Sequence, residues 1–491
     1  MKRETNVKLV TISVFIATFM TAIEGTIVTT AMPTIVGSLH GMEIMNWVFS
    51  IYLLTNAMLT PIYGKLADKV GRKPIFIFGT LLFIIGSLFC GLSQTMIGLI
   101  VARAVQGMGA GAMMPVALTI IGDLYTIEKR ARVLGLNSSA WGIASVFGPL
   151  AGGFIVEAIS WHWIFFINVP IGILLMVLIW LYLNEPNEQH ESKPMDLLGS
   201  LSLMAMLVTL LLGFQLLGDQ GFTPIVIGLL LGSILLLFLF ALAEKRAKDP
   251  VIMLHLFSNP LFVVVNVAAA LASGFLMGID VYIPMWMQGV LGLNATVGGL
   301  VLAPLSIVWM VGSFLASKWM TQMATTWVLR IGLLIAAVGG AWLWLMPFES
   351  NFLWFFAIST IIGIGLGITI TTSTVSAQNS VPKGQLGVAT SFNTLVRTIG
   401  QTVMVAVFGL LLNSVTQKEL ASANLTNDTD IMNKLVNPQT AKKIAIDLIT
   451  PLRKILYDGL HQVYFVGLLL VIIAFVLTFA IRDKGDRIRE Y

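Results

Sequence analysis

Along this chain, apolar runs of about 20 residues alternate with short polar stretches from one end to the other. Each run is long enough to cross a hydrocarbon layer of about 30 Å as a helix, and a helix satisfies its own backbone N–H and C=O groups where lipid offers no partner. The pattern predicts about fourteen spans, centred near residues 20, 56, 84, 108, 146, 173, 207, 233, 272, 306, 337, 364, 398 and 470. The expected fold class is therefore all-α, membrane-embedded, with no stretch left over for a large soluble domain. Composition agrees: 57% of the 491 residues are hydrophobic and 11% charged, where a soluble protein carries about a quarter charged, and the mean hydropathy is +0.90. A single cysteine, Cys90, lies inside an apolar run, which excludes a disulfide within the chain and a cysteine metal site.

The first run follows Lys2, Arg3 and Lys8 as a signal peptide would, but it continues past Ile23, contains Glu24 and lacks a small-residue cleavage pattern, so it is read as a retained span. Basic residues then report orientation. Lys65, Lys69, Arg72 and Lys73, then Lys129, Arg130 and Arg132, then Lys193, Lys245, Arg246, Lys248, Lys318, Lys383, Arg482, Lys484, Arg487 and Arg489 all fall in alternate connections, whereas the short connections near Gly41, Gln94, Gly221, Gly292 and Glu349 hold none. This positive-inside asymmetry places both termini in the cytoplasm. The polar stretch from Asn413 to Gly459 (413–459) carries several lysines yet is expected outside, because long loops translocate regardless of charge, with a small amphipathic cap over about 438–456. The net charge of +5 is spread over many loops, so nucleic-acid binding is not expected.

Gly107, Gly109 and Gly111, followed by Lys129 and Gly135, are echoed by Gly363, Gly365 and Gly367, followed by Lys383 and Gly387. The repeat predicts an N-terminal six-helix bundle over 1–184, two inserted spans with linkers over 185–260, and a C-terminal six-helix bundle over 261–491. Repeated bundles facing each other across a central cavity are the usual build of secondary transporters.

Five stretches stand out. GKLADKVGRKP, from Gly64 to Pro74, is a tight loop with Asp68 set among four basic residues; positive-inside anchoring explains the lysines but not the acid. LIVARAVQGMGAGAMMP, from Leu99 to Pro115, puts Arg103 into an apolar helix at a cost of about 2.5 to 3.5 kcal/mol, so it must face a cavity or a carboxylate. Gln106 lies one turn away on the same side, while the glycines there suit close helix packing. WGIASVFGPLAGG, from Trp141 to Gly153, allows a bend around Gly142, Gly148, Pro149, Gly152 and Gly153. IEGTIVTTAMP, from Ile23 to Pro33, buries Glu24 at a depth of roughly 24 Å from Lys8, and Arg103 lies roughly 10 Å in from the other surface, so the two can meet. WHWIFFINVPIG, from Trp161 to Gly172, carries tryptophans suited to the interface.

The Gly64 to Pro74 loop resembles the signature loop between the second and third helices of the major facilitator superfamily. The Trp141 to Gly153 stretch resembles the glycine-rich motif that marks its antiporters, and the stretches at Ile23 and Trp161 resemble its fourteen-span drug and proton antiporter branch, which usually has aspartate where Glu24 stands. The resemblance covers nearly the whole chain. It implies a major facilitator fold of two six-helix bundles plus two extra helices, and a cytoplasmic gate of Gly64, Asp68, Gly71, Arg72, Lys73 and Asp123 that locks the outward-open state. Ser317 stands where the second half would repeat Asp68, so the gate is expected to be lopsided. A bacterial plasma-membrane location is likewise implied.

Asp280 and Arg397 are a second acid and a second buried cation; an interfacial place for Asp280 and a structural pair for Arg397 are the alternatives. His40, His162, His190, His255 and His461 fall at predicted ends or loops, no nucleophile and base are gathered, and no GxxxxGK[ST] loop is present. An enzyme or an ATP-driven pump is therefore not expected, nor is a metal or other cofactor. The expected function is a proton-coupled antiporter exporting amphipathic, cationic drugs, with Glu24, Asp280 and Arg103 coupling protons. Glu24, Gln106, Trp141, Phe147, Asp280, Tyr282, Trp286 and Arg397, with Met287 and Trp309, are expected along the substrate cavity, although aromatic residues at helical spacing equally suit packing or lipid contact. Proton exchange requires the Glu24 to Arg103 distance to change between states. The expected partners are the lipid bilayer, a small-molecule substrate and protons, with the protein a monomer. A dedicated exporter of one metabolite, lipid or peptide-like compound is the alternative.

Overall fold

A computed structural model describes the chain except residues 1–4, 40–45, 186–196, 248–251, 253, 294, 383–384, 424–430, 437–440, 442–443 and 482–491. Among the described residues there is no strand. The long helices are α1 (Val7–Leu39), α2 (Asn46–Val70), α3 (Arg72–Gly91), α4 (Met96–Leu124) and α5 (Ile127–Ala158). A short α6 (Trp163–Phe166) leads into α7 (Asn168–Tyr182), and α8 (Leu197–Gln220) and α9 (Pro224–Arg246) follow. The last group comprises α10 (Pro260–Met285), a short α11 (Ala295–Leu300), α12 (Ala303–Met320), α13 (Thr325–Trp344), α14 (Leu353–Asn379), α15 (Leu386–Ser422), a short α16 (Ile431–Val436) and α17 (Ile446–Leu477).

Every predicted span centre falls inside one of these helices. Twelve helices among the described residues are long and apolar enough to cross a membrane; α2 and α5, of 25 and 32 residues, are long but more polar. Helix starts follow local chemistry. The Thr95 hydroxyl accepts from the Gly98 N–H at 3.1 Å to open α4, and Thr223 and Asn259 cap α9 and α10 just before Pro224 and Pro260.

Three expectations change. The Gly64 to Pro74 loop narrows to one residue: α2 stays helical to Val70, and Gly71, at φ 108°, alone makes the corner into α3. The polar stretch 413–459 narrows too, because α15 runs on to Ser422 and α17 begins at Ile446, so its helices project past the apolar run. His461 therefore sits inside α17, its ring 4.2 Å from that of Tyr457, rather than at an end. Helix α5 is continuous through residues 148 and 149; Pro149 and Gly153 are described by their backbone alone.

The two glycine sets do matching work. In α4, Gly107 and Gly111 lie against the backbone of α2 at Tyr52 and Asn56, and Gly109 against α3 at Gly79 and Phe83. In α14, Gly363 and Gly367 lie against α12 at Leu305 and Trp309, and Gly365 against α13 at Gly332 and Ala336. Helices α1 to α7 are termed the first group and α10 to α17 the second; they meet where Gly142 of α5 lies against Ser306 of α12 and Gly64 of α2 against Ser391 of α15. The α8 and α9 hairpin packs on the seam: Leu203, Leu207 and Leu211 join a core with Ala57 of α2 and Leu395 of α15.

Candidate functional site

Glu24 and Arg103 meet inside the first group. Arg103 Nη1 donates to Glu24 Oε1 at 2.6 Å and to Gln106 Oε1 at 2.7 Å, while its Nε donates to the Val48 carbonyl at 3.1 Å. The second Glu24 oxygen accepts from Asn168 Nδ2 at 2.7 Å, and Gln106 Nε2 donates to Ser87 Oγ at 2.7 Å. The Arg103 guanidinium also lies 4.2 Å from the Tyr52 ring centroid. Side chains from α1, α2, α3, α4 and α7 therefore close one polar cluster in an apolar bundle, with Glu24 0% and Arg103 1% exposed. Glu24 and Gln106 do not line an open cavity here, because every polar atom the pair offers is already turned inward. Asn168, within WHWIFFINVPIG, was missed by sequence reasoning; the one amide in an apolar helix entry was the available signal.

The two groups join at the end carrying Asp68 and Arg130. Asp68 accepts the backbone N–H groups of Gly387 and Val388, at 3.0 and 2.9 Å, at the start of α15. Arg72 holds Asp68 at 2.8 Å and Asp123 at 2.9 Å, so one guanidinium bridges both acids. Gly64 lies against Ser391 and the Gly387 carbonyl. Lys73 faces elsewhere: its Nζ donates to the Leu183 carbonyl at 2.8 Å, within its own group. Gly71 turns its α-carbon toward Glu185, whose carboxylate accepts the Arg72 and Lys73 N–H groups at the start of α3. Arg130, assigned above only to orientation, also crosses the seam: Nη1 reaches Gln378 at 3.4 Å and Asn379 at 3.3 Å while Nη2 donates to the Gly122 carbonyl at 2.6 Å. Nothing in its basic surroundings marked it out.

Asp280 is an exposed carboxylate on α10. Its helix turns Gly274 and Gly278 to Met404 and Phe408 of α15, leaving Ser273 and Asp280, seven residues apart, on another shared face. Arg397, half-buried on α15, donates from Nε to Ser273 Oγ at 3.4 Å. The offset that carries Gly107 onto Gly363 also carries Glu24 onto Asp280, Arg103 onto Ser359 and Trp141 onto Arg397. Ser359, fully buried, cannot supply the charge that Arg103 gives Glu24. Asp280 and Glu24 are thus matched in position and opposite in environment.

The aromatic expectations divide. Trp286 and Met287 are fully buried in the core of the second group; Trp286 sits in a π turn and stacks at 5.7 Å on Tyr464. Tyr282 joins the same core, edge-on to Phe408 at 6.0 Å. Trp309 packs on its rim. Phe147 lines up with Leu136, Ile143 and Phe154 in one exposed apolar stripe of α5, the pattern of a lipid-facing surface. The exposed Trp141 lies between the faces that meet α1 through Gly148 and α12 through Gly142, which turns it toward the interior. Gly152 is buried.

A family model described as Major Facilitator Superfamily matches residues 14–405. The chain is 32% identical over 491 aligned residues to the multidrug transporter protein MdtP of Bacillus subtilis (strain 168), covering 94% of this chain and 91% of that one. It is 34% identical over 423 residues to multidrug resistance protein 3 of the same organism, covering 86% and 82%. Among solved structures, the human organic anion transporter MFSD10 (TETRAN) superposes with a TM-score of 0.66 at 12% identity, covering 96% of this chain and 99% of that one. A bacterial homologue of the human lysosomal transporter Spinster, in an inward-facing and occupied conformation, gives 0.60 at 17% identity, covering 96% of each chain. These two likenesses concern the fold.

Proposed function

The chain belongs to the major facilitator superfamily, and on that premise we propose that it is a secondary transporter that exports amphipathic, cationic drugs across the membrane in exchange for protons. The two similar Bacillus proteins, both named for multidrug transport or resistance, support the substrate class. The observation that carries the exchange is the contrast between the two acids. Glu24 is enclosed by Arg103 and Asn168, whereas Asp280 is exposed and has Ser359 where Glu24 has Arg103. A carboxylate that takes either a proton or a cation, never both, links their opposite movements. Asp280 fills that role in this conformation, and Glu24 joins it only in a conformation that parts it from Arg103.

The seam closed by Asp68, Gly64 and Arg130 is then the cytoplasmic gate, and the conformation faces outward. The reading carries fourteen spans with both termini in the cytoplasm of a bacterial cell, bundles over 1–184 and 261–491, a monomer, and no cofactor. A proton moving inward down 100 mV supplies about 2.3 kcal/mol, to which the pH gradient adds.

The test is the movement of ethidium in proteoliposomes under an imposed pH gradient, with wild type, Asp280→Asn and Glu24→Gln. Gradient-driven movement in wild type, lost in a folded Asp280→Asn, is expected. No ethidium movement by wild type, in vesicles whose pH gradient collapses when other compounds are added, would overturn the drug reading in favour of a dedicated exporter. Full pH-driven movement by Asp280→Asn would remove Asp280 from the exchange.

A further inference from the structure

Arg397 is the interior cation that the exchange of protons for cations does not use. Its helix is covered on three sides. Phe392, Leu395 and Ile399 pack toward the α8 and α9 hairpin, Gly400, Met404 and Phe408 meet α10, and Gly387 and Ser391 meet α2. Arg397, in line with Met404 and Phe408 seven and eleven residues further on, lies at the α10 edge of the helix, with Gln401, Thr394 and Thr398 beside it, all half-buried. The Thr394 and Thr398 hydroxyls donate to carbonyls of their own helix at 2.9 and 3.1 Å, so Arg397 is the group of this edge whose charge lipid would leave unanswered and that calls for water or a ligand.

The guanidiniums of the polar cluster and of the seam are spoken for. Arg103 has Glu24 and Arg72 has Asp68 and Asp123, and Arg130 has a backbone carbonyl and two amides. Arg397 reaches only the neutral hydroxyl of Ser273 among the described side chains, at the long distance of 3.4 Å. Asp280 does not neutralise it: Ser273 and Asp280 stand seven residues apart on α10, which sets the carboxylate about 10 Å along the axis from the hydroxyl that Arg397 touches. One negative group on α10 and one positive group on the facing α15 thus stand at separate heights, linked through the Ser273 face. Trp141, at the equivalent position of α5, adds an exposed indole for an apolar body.

We infer that Arg397 binds an anionic group of the substrate while Asp280 binds its cationic group, so that the protein takes zwitterionic amphiphiles in addition to simple cations. This rests on the export reading above and deepens it. A planar guanidinium holds a carboxylate through two parallel N–H···O bonds, which a hydroxyl cannot imitate.

The test uses two dyes that differ only at one carboxyl: rhodamine 123, the cationic methyl ester, and rhodamine 110, the zwitterionic free acid. Their affinities for the purified full-length protein in detergent are read by fluorescence polarisation for wild type, Arg397→Gln, Arg397→Lys and Asp280→Asn. Arg397→Gln is expected to lower the affinity for rhodamine 110 relative to rhodamine 123 roughly tenfold or more, the value of one lost charge-assisted pair. Arg397→Lys should lower the ratio by less, because it keeps charge without the fork, and it carries the test if the glutamine variant aggregates. Asp280→Asn should weaken both dyes and leave their ratio unchanged. An unchanged ratio in both Arg397 variants overturns the inference while leaving the export reading standing. Wild type that binds neither dye overturns both.

Discussion

Replacing Arg103 by glutamine removes the group on which the polar cluster of the first bundle is assembled. Glu24 Oε1, Gln106 Oε1 and the Val48 carbonyl each lose their guanidinium donor, and a fully buried carboxylate is left with Asn168 alone. Breaking a buried pair by removing one partner costs about 3 to 5 kcal/mol, most of it the uncompensated charge. Glu24→Gln should cost a similar amount by stranding Arg103. The double variant Glu24→Gln/Arg103→Gln leaves no charge and four amide groups able to bond one another, so its loss should fall short of the sum of the single losses by about 2 to 3 kcal/mol. Reversible unfolding in mixed micelles, titrated with SDS and followed by tryptophan fluorescence, measures all four corners of the cycle. Single losses that add to within about 0.5 kcal/mol would mean that the two side chains do not sense each other, and the clamp assigned here would fall.

Gly387 faces Asp68 and the Gly64 carbonyl with no room for a side chain. Gly387→Leu should prop the gate open, seen as faster labelling of an introduced Ser391→Cys by a water-soluble maleimide. Arg130→Ala removes the bonds to Gln378 and Asn379 and should accelerate the same labelling, by a smaller factor because Asp68 remains; unchanged labelling would show that Arg130 does not hold the gate. Gly109 sits against backbone atoms of Gly79 and Phe83, so Gly109→Leu should abolish folded, monodisperse protein in size-exclusion chromatography, whereas Gly228→Leu, at a glycine with open space around it, should be tolerated.

How much was legible varies with the distance over which the physics acts. Helix positions were readable because the need to satisfy a backbone in lipid is met within each segment. The glycine echo of Gly107 and Gly363 was readable because close helix approach demands the same small residue wherever it recurs. The ends of the helices were not: α2 continues to Val70 through Lys65, Asp68 and Lys69, and α15 to Ser422, since a helix that leaves lipid keeps its hydrogen bonds in water. The placement of aromatic residues was not readable either. Trp286 and Trp141 look alike in sequence, but one is enclosed by Phe355, Tyr457 and Tyr464 and the other is exposed.

By itself, the sequence determined that this is a bundle of membrane helices with a few costly charges in it, because burial of a charge and solvation of a backbone depend on composition within one segment. Only the tertiary structure decided which charges are answered. Glu24 is met by Arg103 from α4 and Asn168 from α7, and Asp280, its counterpart in the repeat, has Ser359 where Glu24 has Arg103. A Coulombic partner is chosen by proximity in space, and helices brought together from 79 and 144 residues away carry no mark of that meeting in their own spacing.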